Sequence, residues 1–211
     1  MTLFESGQAS LHGRVTVTEF GKRASRRHLR AAFFLDRDGV VIEDRNYLAD
    51  PGLIRFVPGA LETLRELQSR FRIIIVTNQS GVSRGFFTEG ELLFFHRQLV
   101  QLLSGHQVFL DAIYYCPHHP TLGRDRYRRY CTCRKPEPGM IFQAASDFGL
   151  DLRRSFIVGD KESDIVAGKR AGLHTVFLCQ GSEKSEPSTI ADYQVESWRE
   201  IVRTTISPLP N

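Results

Sequence analysis

Residues 31–39 read AAFFLDRDG: five apolar residues run straight into two acids that flank an arginine, and a glycine closes the stretch. A short apolar run bounded by a turn signal is the pattern of a strand buried on both faces. Asp36 and Asp38 are two apart, so in extended chain both side chains project to the same side, and Gly39 lets the backbone turn away sharply.

Outward from this stretch, the strand pattern returns at 72–77, 111–116, 155–158 and 175–178, with helix-period segments between. Pro58 opens a helix whose Leu61, Leu64 and Leu67 share one face. Thr88 and Glu91 form a capping box, followed by Leu92, Phe95, Leu99 and Leu102 as a buried stripe. Pro138 and Gly149 bracket a helix through Phe148, and Gly172 stops another that begins near Glu162. Near the end, ADYQVESWREIVRTTI reads as a short strand and then a helix capped by Ser197, before Pro208 and Pro210 end regular structure; residues 180–188 are a polar loop. The alternation predicts an α/β fold: a Rossmann-like open parallel sheet with helices on both faces and no large cap domain. Residues 31–211 are expected to form the domain, preceded by a basic extension over residues 1–30.

The composition agrees with a single globular domain. At 211 residues, 41% hydrophobic and 25% charged, the chain can bury a sizeable core. Its apolar runs are too short for a bilayer span, and MTLFESGQAS lacks an export signal, so a reducing cytoplasm and a monomer are expected. Net charge is +4, yet 11 of the 28 basic side chains fall in residues 22–30 and 124–135. The first cluster reads as a solvated arm. The second lies inside a motif and points to a local anionic ligand rather than to nucleic acid, for which no series of stacking aromatics is present.

Ligands of open parallel sheets bind beyond the carboxyl ends of the strands. There the chain offers Asp36 and Asp38, then Thr77-Asn78-Gln79-Ser80, then Asp160 and Lys161. Carboxylates brought together repel unless a cation lies between them, and an all-oxygen set suits Mg²⁺ with a substrate phosphate. FFLDRDGVV, IIIVTNQSGVSRG, CRKPEPGM and FIVGDKESD, in this order and spacing, resemble the four motifs of the haloacid-dehalogenase-like phosphatases, over about residues 31–181. The resemblance implies that Asp36 is the nucleophile that forms an aspartyl-phosphate, and Asp38 the general acid and then base. It further implies that Mg²⁺ is bound by Asp36, the Asp38 main-chain carbonyl and Asp160, while Thr77 and Lys135 hold phosphoryl oxygens. Asp164 is expected to orient Lys161 or a metal-bound water rather than to ligate.

Cys116-Pro117-His118 is followed, after 12 residues, by Cys131-Thr132-Cys133, so three of the four cysteines lie together. Three thiols and one imidazole make a closed tetrahedral Zn²⁺ site. The family pattern selects His118 over His119, which is left as a second-sphere or substrate-facing group. Zinc would order a loop over residues 116–135 as a wall beside the aspartates and fix Arg134 and Lys135. Cys179 is expected to be a buried small residue.

CPHHP…CTCRKPEPGM with TNQSGVSRGFFTE resembles the D-glycero-D-manno-heptose 1,7-bisphosphate 7-phosphatase branch. This implies a phosphorylated sugar substrate from cell-envelope precursor synthesis, contacted by Asp44, Tyr47, Asn78, Gln79, Ser80, Arg134 and Lys161. A bisphosphate needs a second anion site, which Arg134 with Arg124, Arg126, Arg128 and Arg129 could form, unless those four are merely solvated. Two readings stand beside this one: a histidinol-phosphate or broader sugar-phosphate phosphatase, and a nucleic-acid-associated protein or polynucleotide end phosphatase. The long extension and the arginine-rich loop depart from the family pattern.

Overall fold

The computed structural model describes residues 13–16, 30–179 and 190–205. Seven strands form one sheet: β1 Gly13–Thr16, β2 Ala32–Leu35, β3 Arg72–Asn78, β4 Ala112–Cys116, β5 Phe156–Gly159, β6 His174–Leu178 and β7 Tyr193–Val195. They lie in the order β1-β4-β3-β2-β5-β6-β7. Six of them are parallel, and the five strand stretches expected from sequence match β2 to β6 within a residue or two. From β2 the chain proceeds first to β3 and β4 on one side and then to β5 on the other. The strand order therefore reverses between β2 and β5, and in such sheets ligands bind beyond the carboxyl ends of the strands at that point.

β1 is antiparallel to β4, with Gly13 opposite Tyr115 and Thr16 opposite Ala112. The sequence reading gave residues 1–30 no strand. Here four of them cover an otherwise bare sheet edge, which is a pairing no local pattern announces. The basic residues 22–29, the polar loop at 180–188 and the terminal prolines lie outside the described residues.

Alternation along the strands splits the core into two layers. Phe33, Leu35, Ile73, Ile75, Ile113, Phe156 and Val158 face helices α1 Ala60–Leu67, α3 Glu89–Gly105 and α6 Trp198–Thr205. Ala32, Phe34, Ile74, Val76, Tyr114 and Ile157 face α4 Gly139–Phe148 and α5 Glu162–Ala171. A one-turn helix, α2 Gly81–Arg84, follows β3. The capping box forms: Thr88 Oγ1 accepts from the Glu91 amide, and Glu91 accepts from the Thr88 amide at 2.7 Å. One stripe position is corrected. Leu102 is exposed and Leu103 is buried in its place, because a 3.6-residue turn drifts off a strict seven-residue repeat along a 17-residue helix. Cys179 is also half-exposed rather than buried, since it lies just past the end of β6.

Candidate active site

The Asp36 amide still donates to the Val158 carbonyl of β5, so Asp36 is the last residue held by the sheet. Gly39 then turns at φ +81°, and a Cβ there would overlap the Asp160 carboxylate. Glycine thus lets the turn after β2 and the end of β5 close on each other. Asp36, Asp160 and Asp164 bring carboxylate oxygens within 4.8 Å of one another. Burial, then the charge of Asp36, pushes Asp160 up to about 7, and its Oδ1 has no hydrogen-bond partner among the described residues. An orphaned oxygen in a crowd of acids is the electrostatic demand that a divalent cation answers, so the residues fit a hard metal ion.

Lys135 enters this crowd from the opposite side. Its Nζ lies 3.0 Å from Asp36 and 2.6 Å from Asp164, and donates to the Val76 carbonyl at 2.8 Å. Burial acts to lower its pKa, but Asp164 and Asp36 outweigh that and raise it, so it is a fixed cation. Asp164, completely buried, holds Lys135 in place and accepts from the Lys161 amide. Its main service is therefore to Lys135 rather than to the Lys161 side chain. Asn78 is likewise occupied with Lys135, donating to its carbonyl and accepting from its amide at 3.0 and 3.1 Å. Gln79 donates to Asp38 and to Thr77 Oγ1, and Ser80 is buried at the start of α2.

The rim is built from loops. Lys161 bridges Asp44 at 3.0 Å and Asp160 at 3.8 Å; burial works to raise the Asp44 pKa, but the Lys161 ammonium lowers it overall. Asp44 accepts from the Asn46 amide, after which Asn46 and Tyr47 adopt left-handed backbone. The Tyr47 ring then rests on Phe86 at 4.6 Å, with the Arg84 guanidinium 5.5 Å from its centre.

Cys116, His118, Cys131 and Cys133 converge, with sulfurs 3.2–3.6 Å apart and His118 Nδ1 3.3 and 3.6 Å from Cys133 and Cys116. Hydrogen bonds with Cys131 and Cys133 push the Cys116 thiol up, whereas those with Cys116 and Cys133 hold Cys131 down. Four soft donors around one point fit a tetrahedral metal. His119 faces elsewhere: its Nδ1 accepts from the amides of Thr121 and Leu122. Ser83 clasps the loop through the Leu122 carbonyl and the Arg124 amide. Glu89 clasps it through Tyr127, while also accepting from Tyr115.

Arg134 donates to the His118 carbonyl, beside His119. Of the four loop arginines, all exposed, Arg126 turns to Glu89 and Tyr127, and Arg129 to His118. The sequence reading passed over Arg84, whose Nε is buried without a hydrogen-bond partner among the described residues. Ser83 places it against the loop, and with Arg134 it lowers the His119 pKa, after the effect of burial. Arg37 and His96 were also passed over. A polar residue between two strand-end acids, and a histidine four residues after Leu92 on a buried helix face, were the available signals.

A buried carboxylate between a fixed lysine and a candidate cation site, at the switch point of a doubly wound sheet, is the arrangement of a haloacid-dehalogenase-like phosphatase. The HAD-hydrolase-like family profile matches residues 132–201. The D-glycero-beta-D-manno-heptose-1,7-bisphosphate 7-phosphatase of Pasteurella multocida is 40% identical over 172 residues, 80% of this chain and 93% of its own. The enzyme of the same name from Escherichia coli K12 is 37% identical over 79% of this chain and 88% of its own. The crystal structure of D,D-heptose 1,7-bisphosphate phosphatase from B. bronchiseptica, complexed with magnesium and phosphate, superposes with a TM-score of 0.72 at 28% identity, covering 85% and 99% of the two chains. The chain belongs to this heptose-bisphosphate phosphatase family, phosphoric monoester hydrolases of the HAD superfamily.

Proposed function

We propose that this phosphatase removes the 7-phosphate of D-glycero-beta-D-manno-heptose 1,7-bisphosphate, in the supply of heptose for cell-envelope precursors. The observation that carries the substrate half is the pair Arg84 and Arg134, two guanidinium groups that both act on His119 and have no carboxylate partner among the described residues. We assign them to the second anion site that a bisphosphate requires.

In the reaction Asp36 attacks phosphorus, an Asp36–phosphorus bond forms, and the bond to the sugar oxygen breaks as that oxygen takes a proton from Asp38. Water then attacks phosphorus, Asp38 takes its proton, and phosphate leaves with Asp36 restored. Lys135 and Thr77 hold phosphoryl oxygens, and the fixed ammonium offsets charge gathered there. Asp36, Asp160 and the Asp38 carbonyl would hold Mg²⁺, which when bound neutralises the carboxylates and the phosphate. Asn78 acts through the Lys135 backbone, and Asp44, Tyr47, Gln79, Ser80 and Lys161 line the approach.

Zinc is the metal proposed for Cys116, His118, Cys131 and Cys133. Tetrahedral zinc places its sulfurs about 3.8 Å apart and sulfur–nitrogen pairs about 3.6 Å apart, close to the spacings here. Bound zinc stabilises the loop that carries Arg134 and Lys135. Among the described residues no helix is long and apolar enough to cross a membrane. We take the protein as a cytoplasmic monomer.

The test is phosphate release with Mg²⁺ from heptose 1,7-bisphosphate, histidinol phosphate and fructose 1,6-bisphosphate, compared as kcat/KM. A preference for the heptose of at least about tenfold is expected, and Arg84→Ala should erode it by raising KM for bisphosphates but not for monophosphates. Equal use of all three would discard the substrate and leave the aspartate chemistry standing.

A further inference from the structure

Arg37 stands between the two aspartates of the catalytic turn, where an exposed side chain would be unremarked, yet it is completely buried. Its Nε donates to Asp38 Oδ1 at 3.0 Å and its Nη2 to Oδ2 at 2.8 Å, a two-pronged grip on the carboxylate of the neighbouring residue. Its Nη1 lies 3.2 Å from His96 Nε2, and the guanidinium lies 4.7 Å from the centre of the Phe95 ring. His96 and Phe95 come from α3 and are completely buried. Burial and the adjacent Arg37 keep His96 neutral, leaving Nε2 free to accept and the proton on Nδ1, which has no partner among the described residues. A guanidinium is costly to bury, and a carboxylate gripped at both oxygens, with Gln79 on Oδ2 as well, has few orientations left.

We infer that Arg37 and His96 are positioning residues that aim the Asp38 carboxyl at the leaving-group oxygen, with α3 as their rigid support. Arg37 sets the orientation of Asp38, and His96 with Phe95 sets that of Arg37. Neither touches the phosphoryl group, so binding should be spared and proton delivery impaired. The inference rests on the reading of Asp38 as general acid.

That role has a signature that a structural contact lacks. A sugar alkoxide must be protonated as it leaves, whereas an aryl oxide leaves readily without help. Because kcat/KM reports the steps through the first irreversible one, comparing an alkyl with an aryl phosphate isolates proton delivery. His96→Leu is expected to lower kcat/KM about tenfold on a sugar phosphate, mainly through kcat, and less than about threefold on p-nitrophenyl phosphate. His96→Gln, whose amide oxygen can accept from Arg37, should restore most of the loss. Arg37→Lys, which keeps the charge and loses the grip, should show the same selectivity, and serves if His96→Leu is not recovered folded. Equal losses on both esters in these variants, or losses that follow melting temperature, would overturn the inference. Asp38→Asn, measured in parallel, separates the two levels: if it too is unselective, the general-acid reading fails, and if it alone is selective, only the positioning roles fail.

Discussion

The carboxylate centre and the cysteine–histidine cluster sit side by side but are assembled by opposite means. The first draws Asp36, Thr77, Lys135, Asp160 and Asp164 from strand ends, a loop and the first turn of α5, far apart in sequence, with Thr77 held by the sheet and Asp36 and Asp164 ion-paired to the buried Lys135. The second takes its four donors from residues 116–133, Cys116 at the end of β4 and the other three from the loop that follows it. A sheet can hold like charges together because its strands are locked elsewhere, whereas a loop depends on its metal for order. Losing the metal should therefore cost the first site activity, and the second site structure.

The largest effect tests the first half of that contrast. Asp36→Asn should abolish turnover, by on the order of 10⁴-fold or more, while the melting temperature holds or rises as one crowded charge disappears. A protein that loses activity only by unfolding would break the contrast. Cys131→Ser tests the other half. Zinc content should fall together with stability, by several kcal/mol or about that order, since metal binding is coupled to loop folding. Full metal content measured by atomic absorption would show that the cluster does not depend on this thiol.

The pH dependence sharpens the comparison further. Asp160 has its pKa raised from 3.8 to about 7 by burial and Asp36, so between those values the folded state holds more protons than the unfolded one. Stability of the metal-free protein should fall as pH rises across that window, and Mg²⁺ should raise the melting temperature more at about pH 8 than at about pH 5. A Mg²⁺ shift independent of pH would place the cation elsewhere. The smallest effect belongs to the clasp between the sites. Glu89→Gln weakens the bonds to Tyr115 and Tyr127 and should raise KM for the sugar bisphosphate about two- to fivefold with zinc retained.

Much of this was legible along the chain. Leu35-Asp36-Arg37-Asp38-Gly39 announces a strand that ends in acids because apolar patterning and turn chemistry are local. The three cysteines likewise declare themselves by spacing. The rest depended on distant segments. The resemblance implies a substrate contact for Asn78, and only the fold shows both ends of its amide bonded to the Lys135 backbone. Asp164 reads as a partner of Lys161 until burial pairs it with Lys135.

From sequence alone came the parallel sheet, the acids that end its first strand and the metal-ligand types, since these rest on periodicity, spacing and side-chain chemistry. Only the tertiary structure decided that Gly13–Thr16 closes the β4 edge, that Arg84 Nε is buried without a partner among the described residues, and that Arg37 turns inward to His96. Each of those depends on which side chains meet across the packed elements. A burial that orphans one polar group and pairs another is a property of the assembled core, and no local pattern encodes it.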